Sequence, residues 1–505
     1  MFGRVEIFTD EEIITRENIG DIVRKAMVEH EKNVAMMNFL LMYESGIQPI
    51  KRKKSYRPDI DCECIDNVAN EISDFKLNFG WGNPMTFVMR ENINTDNNIP
   101  RAVSDLNIFY EIQGNRAKQQ ELARYVEICG LGYTYIDVNT EYKEGESPFT
   151  IDTLDPRCTF KIKSSYHVDK RTMVDVSFSC NEKGEKQYSC FTKDSRYELN
   201  NLFEHKQKSG EKNPIGEFPI TEWFRSYDRM GCFERQISEM DNLNLLISDF
   251  TNDVEQNTQA VWHANDVDFP KTIVRNEDGT TEEKVIKPKT NDWMLTFTSR
   301  DGKTPFVNPL SINYDYSGML NNIITRRSLI LQKCNVPSRN DNSGGSTGIA
   351  MSDATGWTQA EVEATKQDQL KELFKINELK VVLNAIRECP GFPVNHPLMS
   401  LKAVDVKVSI KRQKTYEMTT KINAFATGVS HGINYKDMLM AINLFDDPQQ
   451  VANNSRDTMH MYLESVFNRK ENAPVGGLDE EKPNKDRLSP DNSDQINNSP
   501  NIETK

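Results

Sequence analysis

The sequence predicts an α+β protein in which helix predominates. Three observations carry this: apolar residues recur at helical spacing over several long stretches, strict alternation is confined to short segments, and one very polar helical stretch of unusual length lies mid-chain. At 505 residues the chain has room for about three or four domains. Its composition is 37% hydrophobic and 27% charged, with a mean hydropathy of -0.65, so much of its surface should be wet or meet polar partners.

From Arg16 to Tyr43, Ile19, Val23, Met27, Met36, Leu40 and Leu41 fall mostly on one helical face, and Gly46 lies just past the end. "KRKKSYR" (Lys51 to Arg57) follows, as a solvated loop or a nucleic-acid patch. A second helix in "CIDNVANEISDFKLNFG" ends at Gly80. Short strands and turns are expected up to about residue 225; "YTYIDV" (Tyr133 to Val138) and "VDVSFSC" (Val174 to Cys180) alternate as half-buried strands do.

Phe233 to Gln259 is the polar helix. Phe233, Met240, Ile247 and Val254 recur every seven residues, with Ile237, Leu243 and Phe250 in the intervening row. Such a stripe is narrower than a globular helix needs, and the helix would be about 40 Å long. A helix this polar is expected to pack laterally against copies or neighbours. Residues 263 to 312 then change character: "TIVRNEDGTTEEKVI" is a hairpin turning at Asp278-Gly279, and "DWMLTFTS" (Asp292 to Ser299) supplies a third strand. Helical pattern returns at Tyr314 to Cys334, with Tyr316, Leu320, Ile323, Ile330 and Cys334 near one face and Arg326, Arg327 and Lys333 along it. The two helices thus bracket a small β insertion whose ends should lie close together.

"CNVPSRNDNSGGSTGIAMSDATG" comes next, a loop too long to be a casual connection. Thr358 with Glu361 forms a capping box for a helix running to about Glu388. In "VDVKVSIKR", Val404, Val406, Val408 and Ile410 alternate with polar residues as a strand. Helices resume from Thr415 to Phe467, and the tail after Arg469 has almost no large apolar residues and reads as disordered.

The charge of -14 argues against a protein that grips nucleic acid over its whole surface, since such affinity comes from Lys and Arg on phosphates. The nine irregularly spaced cysteines read as reduced thiols, the start lacks a signal-peptide core, and no apolar run reaches the ~20 residues that span a bilayer. The expected setting is inside a cell or something assembled there, with no membrane.

"SGGSTG" (Ser343 to Gly348) is the one candidate phosphate loop, but no Lys follows it and a helix precedes it. The seven histidines show no metal-ligand spacing and no nucleophile elbow occurs. Neither catalysis, a metal nor a cofactor is expected.

Taken in order, these segments resemble the portal (head–tail connector) proteins of tailed bacteriophages, siphophage type, over about residues 15 to 467. "YESGIQPIKRK" resembles the segment after the family's first helix, and "NVANEISDFKLNFGWGNPMTF" its next helix and Gly-Pro turn. "FPITEWFRSYDRMGCFERQISEMDNLNLLISDFTNDVEQ", the most specific match, resembles the lead-in to a stem helix. "NSGGSTGIAM" is similar to a Ser-Gly-(Val/Ile)-Ala-(Leu/Met) segment. "GVSHGINYKDMLMAINLFDDPQQ" resembles a C-terminal segment that usually continues Asp-Pro with Glu, from which Gln449 and Gln450 depart.

The resemblance implies a portal fold of wing, stem, clip and crown, assembling as a ring, usually of twelve subunits, at one capsid vertex. It places a wing at 1–230, stem helices at 231–262 and 313–337, a clip at 263–312, a tunnel loop at 338–357, a wing helix and strand at 358–412, a crown at 413–470 and a disordered tail at 471–505. Double-stranded DNA would pass through without sequence specificity. The large terminase subunit, the head–tail adaptor, and the major capsid and scaffolding proteins would be partners. The protein would be assembled in the host cytoplasm and end in the virion.

Arg339, Asn340, Asn342, Ser343, Gly344, Gly345, Ser346, Gly348 and Gly356 would then border the DNA channel, mostly neutral and suited to weak phosphate contacts. Phe233, Met240, Ile247, Val254, Arg326, Arg327 and Lys333 would pack the stem or face the lumen; for each cation a pairing with a neighbouring subunit is equally open. The competing reading is a soluble nucleotide-binding or hydrolytic enzyme with unrecognised motifs, and a third is a coiled-coil scaffold without a channel.

Overall fold

A computed structural model describes residues 3–50, 60–90, 98–207, 209–258, 262–265, 271–275, 281–285, 306–309, 315–337, 356–412, 418–442, 445, 451–452, 455–456, 458 and 460–461. Two units divide the chain, Met1–Tyr416 and Glu417–Lys505. The fold is α+β.

The first unit begins with β1 (Ile7–Thr9), α1 (Ile19–Glu44), α2 (Val68–Trp81), β2 (Thr86–Met89), α3 (Asn98–Ile112) and α4 (Asn115–Cys129). There follow β3 (Leu131–Val138), β4 (Phe149–Leu154), β5 (Thr159–Ser164), β6 (Thr172–Cys180), β7 (Lys186–Phe191), β8 (Ser195–Leu199), β9 (Glu211–Lys212) and β10 (Ile220–Phe224). A 3-10 turn at Glu234–Gln236 runs into α5 (Ile237–Thr258), followed by β11 (Trp262–Asn265), β12 (Lys271–Arg275), β13 (Thr281–Val285) and β14 (Phe306–Pro309). Helix α6 (Tyr316–Lys333), helix α7 (Trp357–Arg387) and β15 (Val406–Ser409) complete it.

A six-stranded sheet has the order β1-β5-β6-β7-β8-β9, parallel only between β1 and β5. Alternation along β5 and β6 turns Phe160, Ile162, Val174 and Val176 inward, where Ile19, Ile22, Val23, Ala26 and Met27 of α1 cover them. His30 is buried there, stacked on Phe160 at 4.4 Å between ring centroids. A second sheet, β10-β3-β4, packs with α3, α4 and α7 around Trp81, Trp223, Leu106, Phe149, Leu379 and Ile386. Strand β15 pairs antiparallel with β2 and so ties the chain after α7 back to its N-terminal third. A third cluster gathers Tyr43 of α1, Ile72 of α2, Phe233, Met240 and Leu243, and Ile330 of α6.

Several sequence expectations need correcting. Residues 98–129, read as strands and turns, are the two helices α3 and α4; their buried rows Leu106 and Tyr110, and Leu122 and Val126, lie one helical turn apart. The capping box fails because helix α7 starts two residues early: Gly356 is its N-cap and Thr358 already lies in the first turn. Val404 sits in a 3-10 turn and is exposed, while Val406 and Val408 are buried in β15. The Asp292 to Ser299 strand falls outside the described residues, whereas β12 and β13 form the hairpin and β11 pairs with β14. That last pairing sets Trp262 opposite Pro309, bringing the two ends of the insertion together.

The largest correction concerns α5. Its polar surface does not all await another chain. Asn244, Ser248 and Asn252, one turn apart, are buried. Cys62 N–H donates to Asn252 Oδ1 at 2.8 Å, Cys64 N–H to Ser248 Oγ at 3.0 Å and Asp66 N–H to Asn244 Oδ1 at 3.0 Å. The extended segment Cys62–Asp66 thereby finds in a helix face the partners a sheet would give it, as buried peptide groups require.

In the second unit, α8 (Met418–Ser430) and α9 (Tyr435–Ile442) form a helical pair turning at Gly432, whose φ of +88° favours glycine. Gly428 gives α9 close approach at Met438.

Candidate functional site

Residues 338–355 lie outside the described residues, and with them Arg339, Asn340, Asn342, Ser343, Gly344, Gly345, Ser346 and Gly348. What the structure places is the pair of roots from which that segment departs and returns. The departing root follows α6: Cys334, Val336 and Pro337 are buried, and Asn335 turns the chain with a φ of +53°. The returning root is Gly356, with a φ of +87°, capping α7. The two roots touch, since a Cβ on Gly356 would lie 3.9 Å from Pro337 Cα. The two flanks of this eighteen-residue stretch therefore lie side by side.

Charge and aromatic packing hold this point. Trp357 packs edge-on to Phe75 and Phe79 of α2, at 5.9 and 5.7 Å between centroids. One turn and a half further along α7, Glu363 accepts from Lys76 Nζ at 2.5 Å, from Asn335 Nδ2 at 3.0 Å and from the Arg225 guanidinium. Arg225 Nε donates in turn to Glu127 Oε2 at 3.0 Å, and Trp81 Nε1 donates to Glu127 Oε1 at 3.0 Å. Two carboxylates and two cations make this node neutral. Burial works to raise the Glu363 carboxyl, but Arg225 and Lys76 overcome it and hold the pKa below the ordinary glutamate value. Arg225, despite burial, is kept firmly charged by Glu127 and Glu363.

The predicted stem residues divide. Phe233 precedes α5 as the N-cap of the 3-10 turn and is fully buried, 6.1 Å from the Tyr43 ring; Met240 is buried with it. Ile247 is half-buried, and Val254 is 41% exposed. The seam thus begins as core and emerges as surface. On α6, Tyr316, Leu320 and Ile324 are 36%, 47% and 49% exposed, while Ile330 and Leu331 are core. Helices α5 and α6 meet at Phe250 and Tyr316, 6.0 Å between centroids.

The three α6 cations also part company. Arg326 is exposed and donates to Asn322 Oδ1 at 3.1 Å. Arg327 turns inward to Asp66 Oδ2, at 2.8 Å, and to Glu71. Lys333 stands 3.7 Å from Glu239 of α5. Arg327 and Lys333 therefore have partners within their own chain. Sequence reasoning missed Lys76, Arg225, Glu127 and Glu363 altogether: they lie far apart along the chain, and only the fold brings them together.

Among the described residues no group of His, Cys, Asp and Glu could hold a metal ion, and no helix is long and apolar enough to cross a membrane. No curated protein matches the chain. A model of the family described as phage portal protein, SPP1 Gp6-like, matches residues 52–457. That span takes in α2, the α5–α6 pair, both roots of residues 338–355, α7 and the helical pair of the second unit, and the chain belongs to the SPP1 Gp6-like phage portal proteins.

Proposed function

We propose that the protein works as a ring-shaped conduit at one vertex of a phage capsid, without enzymatic activity of its own. Double-stranded DNA is driven in through the ring by the terminase, held there, and released through the tail. The ring has about twelve copies, by resemblance to the family. Residues 1–230 and 358–412 form the wing, 231–262 and 313–337 the stem, 263–312 the clip facing the large terminase subunit and then the head–tail adaptor, and 413–470 the crown. Capsid and scaffolding proteins meet its outer surface during assembly in the host cytoplasm.

Residues 338–357 are the tunnel loop in this reading, and one observation supports the assignment: the stretch is rich in Gly, Ser and Asn, and Gly356 near its end lies beside Pro337 just before its start. Asn340, Asn342, Ser343 and Ser346 supply weak, sequence-blind phosphate contacts, with Arg339 the nearest cation. Strong contacts would stall a moving duplex. The same logic applies to α5, which carries Glu239, Asp241, Asp249, Asp253 and Glu255 and no Lys or Arg. Repulsion from such a surface keeps DNA from adhering. Deleting residues 340–345 tests the assignment: packaging or retention of DNA should fail while rings still form, and loss of rings would make the segment structural instead.

A further inference from the structure

At the base of residues 338–355, Glu363 bonds across the junction. It belongs to the returning side through α7, and it accepts from Asn335 of the departing side at 3.0 Å. Lys76, which it holds at 2.5 Å, also reaches the Asn335 carbonyl at 3.4 Å. Asn335 turns the chain at a φ of +53°, in the left-handed region that asparagine tolerates better than most residues. Apolar packing links the roots only through α2: Val336 lies in the cluster with Ile330, Ile72 and Phe233, Phe75 packs against that cluster, and Trp357 lies on Phe75 and Phe79.

The charge balance sharpens this. Glu127 and Glu363 neutralise Arg225 and Lys76, all four largely buried. Without Glu363, two cations would share one carboxylate in a site with little water, a costly arrangement. They could recover only by moving outward, and Lys76 would take its contact with Asn335 along.

We infer that Glu363 is a positioning residue that locks the two roots of residues 338–355 to each other, so that their spacing is set by this largely buried carboxylate. The inference rests on the tunnel-loop reading only for its functional meaning; the lock itself is a property of the chain alone. In portal terms, the lock holds the base of the tunnel loop still while DNA passes.

Amide hydrogen exchange on the full-length protein tests it without DNA or capsid. Two variants are compared with the parent: Glu363→Gln, which keeps the shape and an acceptor but removes the charge, and Asn335→Gly, which removes the side-chain bond while suiting the left-handed backbone. In Glu363→Gln, residues 334–337 and 356–360 should both exchange at least tenfold faster, with α1 and the six-stranded sheet unchanged. In Asn335→Gly, the effect should cross to residues 356–360. Glu363→Asp, with a charge but a shorter reach, should recover part of the protection. If Glu363→Gln does not fold, Asn335→Gly decides alone: unchanged exchange at 356–360 overturns the inference, as does an effect confined to residues 334–337. Either result leaves the portal reading intact, which stands or falls on rings and packaging.

Discussion

Asn252 of α5 grips the peptide of Cys62 from both sides: its Oδ1 accepts from Cys62 N–H at 2.8 Å, and its Nδ2 donates to Cys62 C=O at 3.1 Å. Ser248 holds Cys64 from one side, accepting from its N–H at 3.0 Å while its own hydroxyl donates to the Asn244 carbonyl at 2.7 Å. A helix face here takes the place of a neighbouring strand. Because Cys62–Asp66 leads straight into α2, this pairing also fixes α5 relative to the base of the portal segment.

Replacing Asn252 with Ala should therefore cost more than an ordinary surface change. Two backbone groups would lose their partners in a largely buried place, about 2–5 kcal/mol together. Urea unfolding measures the loss, and exchange at residues 60–64 should rise with it. A cost under ~0.5 kcal/mol would mean that water replaces Asn252 freely.

Acid should weaken the fold through His30. Burial pushes its imidazole from 6.5 down to about 4, against the bond to the Arg157 carbonyl that favours the proton. The unfolded chain thus binds a proton between pH 6.5 and 4 that the folded chain refuses. Stability from this group is whole above pH 6.5 and drains as pH falls toward 4, by on the order of 3 kcal/mol in all. Urea midpoints at pH 7, 5.5 and 4.5 should fall in step, with a shallower slope in His30→Gln.

Lys371 acts at the other end of the scale. It is buried 4.1 Å from the Trp81 ring centroid and donates to the Gly80 carbonyl at 2.8 Å. Burial drives its ammonium from 10.5 down to about 8, although Glu127 and Asp368 pull upward. Between those values the unfolded chain holds a proton that the folded chain has lost, so this group adds stability as pH rises from 8 to 10.5. Lys371→Met should flatten that rise. Equal slopes in parent and variant would contradict the assignment.

At the returning root, Gly356→Ala should cost about 1–2 kcal/mol. The penalty comes from the left-handed φ of +87° and not from crowding, because the added methyl meets Pro337 at an ordinary 3.9 Å. Thermal unfolding reads the cost, and an unchanged midpoint would mean that the root rearranges readily.

Much of this architecture was legible in the sequence where one period ran uninterrupted. Helix α1, the Lys271–Val285 hairpin and the α5–insertion–α6 order are of this kind. Helices α3 and α4 were missed because short polar stretches dilute their apolar rows, though Leu106 with Tyr110 and Leu122 with Val126 were available as signals. The row Asn244, Ser248 and Asn252 reads as a solvated face until a backbone lies on it; its one hint is that these residues are uncharged. The Glu363 node was invisible for another reason: its four charges come from positions 76, 127, 225 and 363, and no local pattern links them.

Electron microscopy of the purified full-length protein is the most direct check on the central claim that copies of this chain surround an axis wide enough for duplex DNA. The account predicts closed rings of about twelve copies with an axial opening. Single particles the size of one or two chains, under conditions where the chain is folded, would contradict it.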